Sequence, residues 1–240
     1  MCGRASQHAD ICEIERQFGP LVPRPAPNHP ARYNAAPRQT LIVVRQDLQA
    51  GGRVVEPMRW GLIPSWAKDT KLADRAINAR DVGDDGTGLE TKPMFRGAWR
   101  AGRRCLVPLN SFFEWKSVGK SKHPFAIALG DGSLMGVAGL WETWCDPTSR
   151  EMICSFTIIT TAANEVLAPI HHRMPVIIAP EDFEAWLVGD TAAATRLLQP
   201  CPGAALQLWP VTRRINRVGE LDGPECIAPL EGSPASPVPH

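Results

Sequence analysis

The run RCLVPLNSFFEWKSVGKSKHPFAIALGDGSLMGVAGLWETW, residues 104–144, decides the fold. Four β-type runs follow one another within it, at 104–107, 112–115, 124–129 and 134–141, rich in β-branched and aromatic residues. Further runs of the same kind lie on either side, at 41–46 (LIVVRQ), 54–60 (VVEPMRW), 153–161, 175–178 and 206–211. Sheet therefore dominates the middle of the chain. Helical signals are fewer. Ile11, Ile14 and Phe18 recur at helical spacing behind Asp10, a good N-cap residue, which predicts a helix over 10–18 ending before Gly19-Pro20. Prolines at 20, 23, 25, 27 and 30 then withhold backbone donors and make 19–37 an extended loop. Other helical stretches are expected at 94–102, 162–168 and 181–188, the last with Pro180 ahead of an apolar face of Phe183, Trp186 and Leu187. Strands and helices do not alternate strictly. The expected fold class is α+β, a curved, largely antiparallel sheet or barrel-like core with peripheral helices, and not a doubly wound nucleotide fold.

With 240 residues and 44% hydrophobic composition, one sizeable core is expected, over residues 2–230, followed by a disordered tail at 231–240 (EGSPASPVPH). Residues 83–88 (GDDGTG) read as a flexible surface insertion, and no internal repeat is present. The 26 Lys and Arg against 25 Asp and Glu give a net charge of +1, so any nucleic-acid surface has to be a local patch. The seven cysteines form neither a disulfide framework nor a zinc-binding pattern, so reduced thiols and no metal or other cofactor are expected. Charge interrupts every apolar stretch of the first twenty residues, and no run approaches bilayer length. A soluble, cytoplasmic protein without membrane partners, and a monomer, is the expectation.

Cys2 is the sharpest chemical feature. Removal of Met1 ahead of this small residue would put an α-amine and a thiol on adjacent carbons, a pair no other position offers. An α-amine titrates near pH 7.7–8 against about 10.4 for lysine, so its nucleophilic fraction at neutral pH is larger by roughly two orders of magnitude. It condenses with aldehydes, and the neighbouring thiol can close the imine into a five-membered thiazolidine, which outlasts a Schiff base. From position alone, Cys2 reads first as a frayed terminal residue without a role, and the context decides otherwise.

The remaining motifs supply context. Met1-Cys2-Gly3-Arg4 is followed by Tyr33-Asn34-Ala35-Ala36-Pro37, by Arg59-Trp60-Gly61-Leu62-Ile63-Pro64-Ser65-Trp66-Ala67 and by Ile77-Asn78-Ala79-Arg80. Then come Lys92-Pro93-Met94-Phe95-Arg96, Arg103-Arg104-Cys105-Leu106-Val107-Pro108 leading into Phe112-Phe113-Glu114-Trp115, the run from Phe156 to Asn164, and Ile170-His171-His172-Arg173-Met174-Pro175-Val176. Taken in this order, from Cys2 to about Trp209, the set resembles the SRAP family, the SOS response-associated peptidase-like proteins that process abasic sites. The resemblance implies that Cys2 crosslinks the ring-opened abasic sugar in single-stranded DNA, with Asn78, Glu114 and His171 around it as catalytic partners. The chemistry of each residue type fits. Asn78 offers an amide to hold the amine or a sugar hydroxyl, Glu114 between aromatics has a carboxyl suited to proton shuttling, and His171 can protonate the sugar O4′ or hold the deoxyribose. Taken alone, Asn78 also reads as a turn residue and Glu114 as an exposed strand residue. Adjacent residues on a strand face opposite ways, so at most one of His171 and His172 is expected to enter the site.

Two departures from the family pattern concern loop shape: Asp81-Val82 and the insertion stand where a Glu is common, and Pro108-Leu109-Asn110-Ser111 replaces a Pro-x-Asp/Asn-Gly turn. For the DNA strand, Arg4, Asn34, Arg80, Arg96 and Arg104, with Arg100 and Arg103, are expected to supply backbone contacts. Trp66 is expected to be an exposed wedge beside the lesion and Trp60 a core residue. Two other readings of the same residues are a thiol peptidase using Cys2 with His171, including cleavage of its own N-terminus, and a non-covalent single-strand binding module.

Overall fold

In the computed structural model, residues 2–23, 25, 27–83 and 86–230 are described; the expected tail at 231–240 and residues 84–85 of the expected insertion lie outside them. The elements run β1 (Ala5–Gln7), α1 (Ile11–Phe18), β2 (Arg32–Ala35), β3 (Thr40–Asp47), β4 (Gly52–Trp60), β5 (Asn78–Arg80) and α2 (Arg96–Arg100). They continue with β6 (Arg104–Leu109), β7 (Ser111–Val118), β8 (Ser121–Leu129), β9 (Met135–Cys145) and β10 (Met152–Ala162). The last are β11 (Arg173–Pro175), β12 (Ile177–Ile178), α3 (Phe183–Val188), α4 (Thr191–Arg196) and β13 (Leu206–Pro210).

Strands β10, β4, β3, β6 and β9 pair in that order, and β9 pairs again with β10, closing a five-stranded barrel. Closure removes the exposed edges that an open sheet would present. The ring is mixed, because β4 meets β10 in parallel over Ser155–Arg59 and Phe156–Trp60 while the other pairs are antiparallel. Where β9 passes between β6 and β10, only a glycine fits: a Cβ on Gly139 would lie 2.9 Å from both Cys105 Sγ and Thr157 O. A second sheet, in the order β13-β8-β7-β1-β2, is antiparallel throughout. One apolar cluster joins barrel residues such as Val43, Trp60, Phe156 and Ile158 to Ala5 and Phe112 of the second sheet and to Cys2 just ahead of it. Another packs Ile42, Val44 and Leu106 of the barrel's alternate face against Phe18, Trp99, Phe183 and Trp186 of the helices.

The expected α+β class and barrel-like core are what the structure has. Helix α1 forms as expected, with Asp10 Oδ1 accepting the Glu13 N–H at 2.7 Å. Four expectations need correction, the first being that residues 32–35 of the expected 19–37 loop form β2, paired with β1. The 94–102 helix is reduced to the five residues of α2, and the 175–178 strand is split, because Val176 N leaves the ladder to bond Ile159 O at 2.9 Å. Residues 162–168 end β10 and then turn instead of forming a helix: the Asn164 side chain accepts the Leu167 N–H (3.0 Å) and donates to Cys201 O (2.9 Å), which satisfies the local backbone without one. Among the described residues, no helix is long and apolar enough to cross a membrane.

Candidate active site

Strand β1 carries the N-terminal residues into the seam between the two sheets. Ala5 pairs with Phe112 and Ser6 with Ser111, and the Phe113 N–H donates to Arg4 O at 3.0 Å. Extending this register two residues beyond the Ala5–Phe112 pair sets Gly3 opposite Glu114, and Cys2 lies beyond it, fully buried in the apolar cluster. Arg4 fixes the approach from the other side. Arg4 is 7% exposed, and its guanidinium donates to Asn34 Oδ1 (2.5 Å) and to Ile215 O, while Asn34 Nδ2 donates to Leu221 O (2.9 Å).

Asn78 reaches Cys2 from the barrel. The indole N–H of buried Trp60 donates to Ile77 O (3.0 Å), and β5 then lies parallel to β10 with Asn78 against Ile158. Gly61 makes the preceding turn at φ +116°, where an added Cβ would be 2.8 Å from Ala73 O. So placed, buried Asn78 donates from Nδ2 to the Cys2 carbonyl at 2.8 Å. Its Oδ1 is buried without a hydrogen-bond partner among the described residues, an orphaned acceptor on the same amide that holds Cys2.

Glu114 follows from the alternation of β7. Phe113 and Trp115 face the cluster around Trp209 and Ile215, whereas Phe112 and Glu114 face Cys2. Glu114 is 3% exposed, so it is not the exposed strand residue that the motif alone allowed. Burial raises its pKa from the ordinary carboxylate range. The Cys2 thiol is likewise pushed up, first by burial and then by the negative charge of Glu114. His171 lies in the turn between β10 and β11, its N–H bonded to Leu167 O (3.0 Å) and its Nδ1 3.1 Å from Arg173 O. Burial is the main cause of its lowered pKa, with the charges of His172 and Arg173 adding to it. The two histidines are not on a strand, and their rings stack at 4.4 Å, which corrects the expectation that they face apart. Glu114 and His171 line one pocket of about 470 Å³ together with Trp115, Lys122 and Asn216. Asn216 accepts the Trp115 indole N–H at 2.7 Å; neither it nor Lys122 carried a signal in the sequence.

The structure thus brings Cys2, Asn78, Glu114 and His171 together. It distributes the residues expected to hold DNA differently. Arg80 is half-buried on β5, two residues from Asn78 and so on the same face. Arg96 and Arg100 are exposed on α2, and Trp66 is 58% exposed on a loop anchored by the Trp144 indole N–H to Ala67 O (2.7 Å). Trp60 is in the core as expected. Arg4, Asn34 and Arg104 are buried and bonded within the chain, Arg104 to the carbonyls of Trp186 and Gly189, so they shape the fold around the site instead of presenting themselves at its surface. Arg103 pairs with Glu142 at 2.5 Å.

Comparison with known proteins gives this geometry relatives. The chain is 36% identical over 220 residues to "Abasic site processing protein YoqW" of Bacillus subtilis, covering 90% of this chain and 94% of that protein. It is 31% identical over 230 residues to "Abasic site processing protein HMCES" of Gallus gallus, covering 83% of this chain and 66% of that one. Among solved structures, a protein from Bacteroides thetaiotaomicron matches 95% of this chain and 100% of its own at a TM-score of 0.82 and 24% identity, a likeness of fold. The sequence profile of the SOS response associated peptidase (SRAP) family matches residues 1–218, and the chain belongs to that family.

Proposed function

We propose that this protein processes abasic sites in single-stranded DNA by forming a covalent thiazolidine through Cys2 once Met1 has been removed. The observation that carries the reading is the bond from Asn78 Nδ2 to Cys2 O, which fixes the backbone of the residue bearing both nucleophiles beside a buried carboxyl group. While Met1 is attached, the Cys2 nitrogen is an amide and inert toward aldehydes.

The steps follow from the groups present. The closed abasic sugar opens when the C1′ hydroxyl proton leaves and O4′ gains one. His171 Nδ1 accepts the Arg173 backbone N–H at 3.0 Å, which leaves the proton of a neutral ring on Nε2; Nε2 gives that proton to O4′ as the C1′–O4′ bond breaks and recovers one from the C1′ hydroxyl. The Cys2 amine adds to the C1′ aldehyde. Glu114, whose pKa burial raises, gives a proton to the departing hydroxyl when it is in its acid form, and water leaves an iminium. Sγ then bonds to C1′, the C–N π electrons return to nitrogen, and the thiol proton goes to the Glu114 carboxylate. One water is lost and the carboxyl is restored. The unpartnered Oδ1 of Asn78 is an acceptor for the amine hydrogens or a sugar hydroxyl. Arg80, Arg96 and Trp66 supply phosphate contacts and a stacking face for the strand. A thiol peptidase, by contrast, needs its sulfur as thiolate, and burial drives Cys2 the other way.

Incubation with an abasic oligonucleotide, followed by denaturing electrophoresis and intact mass, tests the proposal. The expected product is a denaturant-resistant adduct of protein lacking Met1, one water lighter than the sum of its parts. Salt-sensitive binding without an adduct, or cleavage of peptides, would reject it.

A further inference from the structure

The residues that line the Glu114–His171 pocket include none of the arginines of the expected DNA set. Strands β7 and β8 pair as a hairpin out to Val118 and Ser121, and its outer half carries Lys116, Lys120 and Lys122, all exposed. None of the three makes an ion pair or hydrogen bond among the described residues. Lys122 lines the pocket, and its charge is felt by Glu114. Across from it, the segment after β13 presents exposed Arg213, whose Nη2 lies 2.9 Å from His123 Nε2 on β8. Arg214 and Arg217 of the same segment are partnered by Glu220, at 3.9 and 3.5 Å. In a chain whose net charge is only +1, Lys122 at the pocket, Lys116 opposite His123 in the ladder, Lys120 in the hairpin turn and Arg213 against the same histidine form a local positive field on this hairpin. Trp115, pinned by Asn216, adds a flat aromatic face beside it.

We propose that Lys116, Lys120, Lys122 and Arg213 form a phosphate-binding ridge that holds the single strand on one side of the pocket and leads it to Glu114 and His171. Cations spaced along a hairpin track a flexible backbone, while the adjacent indole accepts any base face, which suits binding without sequence preference. The proposal rests on the reading of this pocket as the place where a DNA strand is processed.

Full-length protein tests it in two arms. The first measures affinity for an intact thymidine oligonucleotide of about 15 nucleotides across a salt series. Replacing all three lysines by glutamine should flatten the log–log salt slope by about 2, a roughly 20-fold smaller loss of affinity between 50 and 200 mM salt, given about 0.7 per single-strand phosphate contact. Replacement by arginine should keep the wild-type slope. A wild-type slope in the glutamine variant, or the same flattening in the arginine variant, would overturn the ridge. The second arm times adduct formation on oligonucleotides extended from the abasic site on the 5′ or the 3′ side only. The glutamine variant should slow one polarity and spare the other, and equal behaviour on both would place the ridge off the path to the site. If wild-type protein forms no adduct with either, the Cys2 chemistry fails instead, and the salt slopes alone decide the ridge.

Discussion

Replacing Asn78 by alanine removes one buried hydrogen bond whose partners are both defined. The lost bond, 2.8 Å from Nδ2 to Cys2 O, leaves a carbonyl in the seam without its donor, at a cost of about 1–3 kcal/mol. The other side-chain atom, Oδ1, has no hydrogen-bond partner among the described residues, so its removal costs nothing further and the net effect belongs to the lower half of that range. At about 2–4 °C per kcal/mol for a domain of this size, Tm should fall by about 2–8 °C. If the same bond holds Cys2 in line with the aldehyde in the transition state, a loss of about 1–2 kcal/mol slows adduct formation by about 5- to 30-fold. Binding of intact single-stranded DNA should fall far less, because the amide addresses the nucleophile and not phosphates. Asn78→Asp sharpens the test: it keeps the shape, sets a carboxylate oxygen against the Cys2 carbonyl, and stabilises the ammonium form of the amine, so its pH–rate profile should move to higher pH. Quenched time courses under saturating abasic oligonucleotide, beside anisotropy with intact DNA, give both numbers. Alanine variant reacting at the wild-type rate, or losing binding and reaction by equal factors, would refute the assignment.

Three further outcomes are expected. Because burial raises the Glu114 pKa, the folded protein holds this proton to higher pH than the unfolded chain, whose carboxyl titrates near 4.3, and stability drains away as pH rises through that window. Glu114→Gln should therefore melt above wild type at pH 8 with the gap closing near pH 4, while its crosslinking slows; a gap independent of pH would contradict the buried carboxyl. A protein with Met1 retained, or a tag ahead of Cys2, should bind intact single-stranded DNA yet form no denaturant-resistant adduct, and crosslinking at the native rate would remove the Cys2 amine from the mechanism. Gly61→Ala should lower stability by about 1–3 kcal/mol and weaken DNA binding, since a Cβ at φ +116° meets Ala73 O and the turn it makes sets the loop bearing Trp66; an unshifted melting curve would show that the turn relaxes freely.

The long strands were legible in the sequence because their β-branched and aromatic residues mark them: 41–46 and 54–60 become β3 and β4, extended by one or two residues at their ends. Strands β1, β2 and β5 were not. Ala-Ser-Gln, Arg-Tyr-Asn-Ala and Asn-Ala-Arg have no strand composition of their own, and they are extended because tertiary neighbours supply the ladder. The site divides the same way. Cys2, Asn78, Glu114 and His171 were named through ordered motifs, but nothing local to Lys122 or Asn216 says that the chain returns from so far to line the same pocket. Arg4 and Arg104 were assigned to phosphates as exposed cations ordinarily would be; only the fold shows that backbone carbonyls at Ile215, Trp186 and Gly189 take their guanidinium groups.

The Arg4 bond to Ile215 O spans 211 residues and sets an order of events during synthesis. The ribosome delivers Cys2 and Arg4 well before the carbonyl that clasps Arg4 and the Leu221 carbonyl that holds its partner Asn34. Until then β1 has no complete berth, and Asn78 has no fixed Cys2 carbonyl to receive its N–H. On the proposed chemistry, a chain that lacks the segment around Ile215 and Leu221 carries Cys2 without its setting.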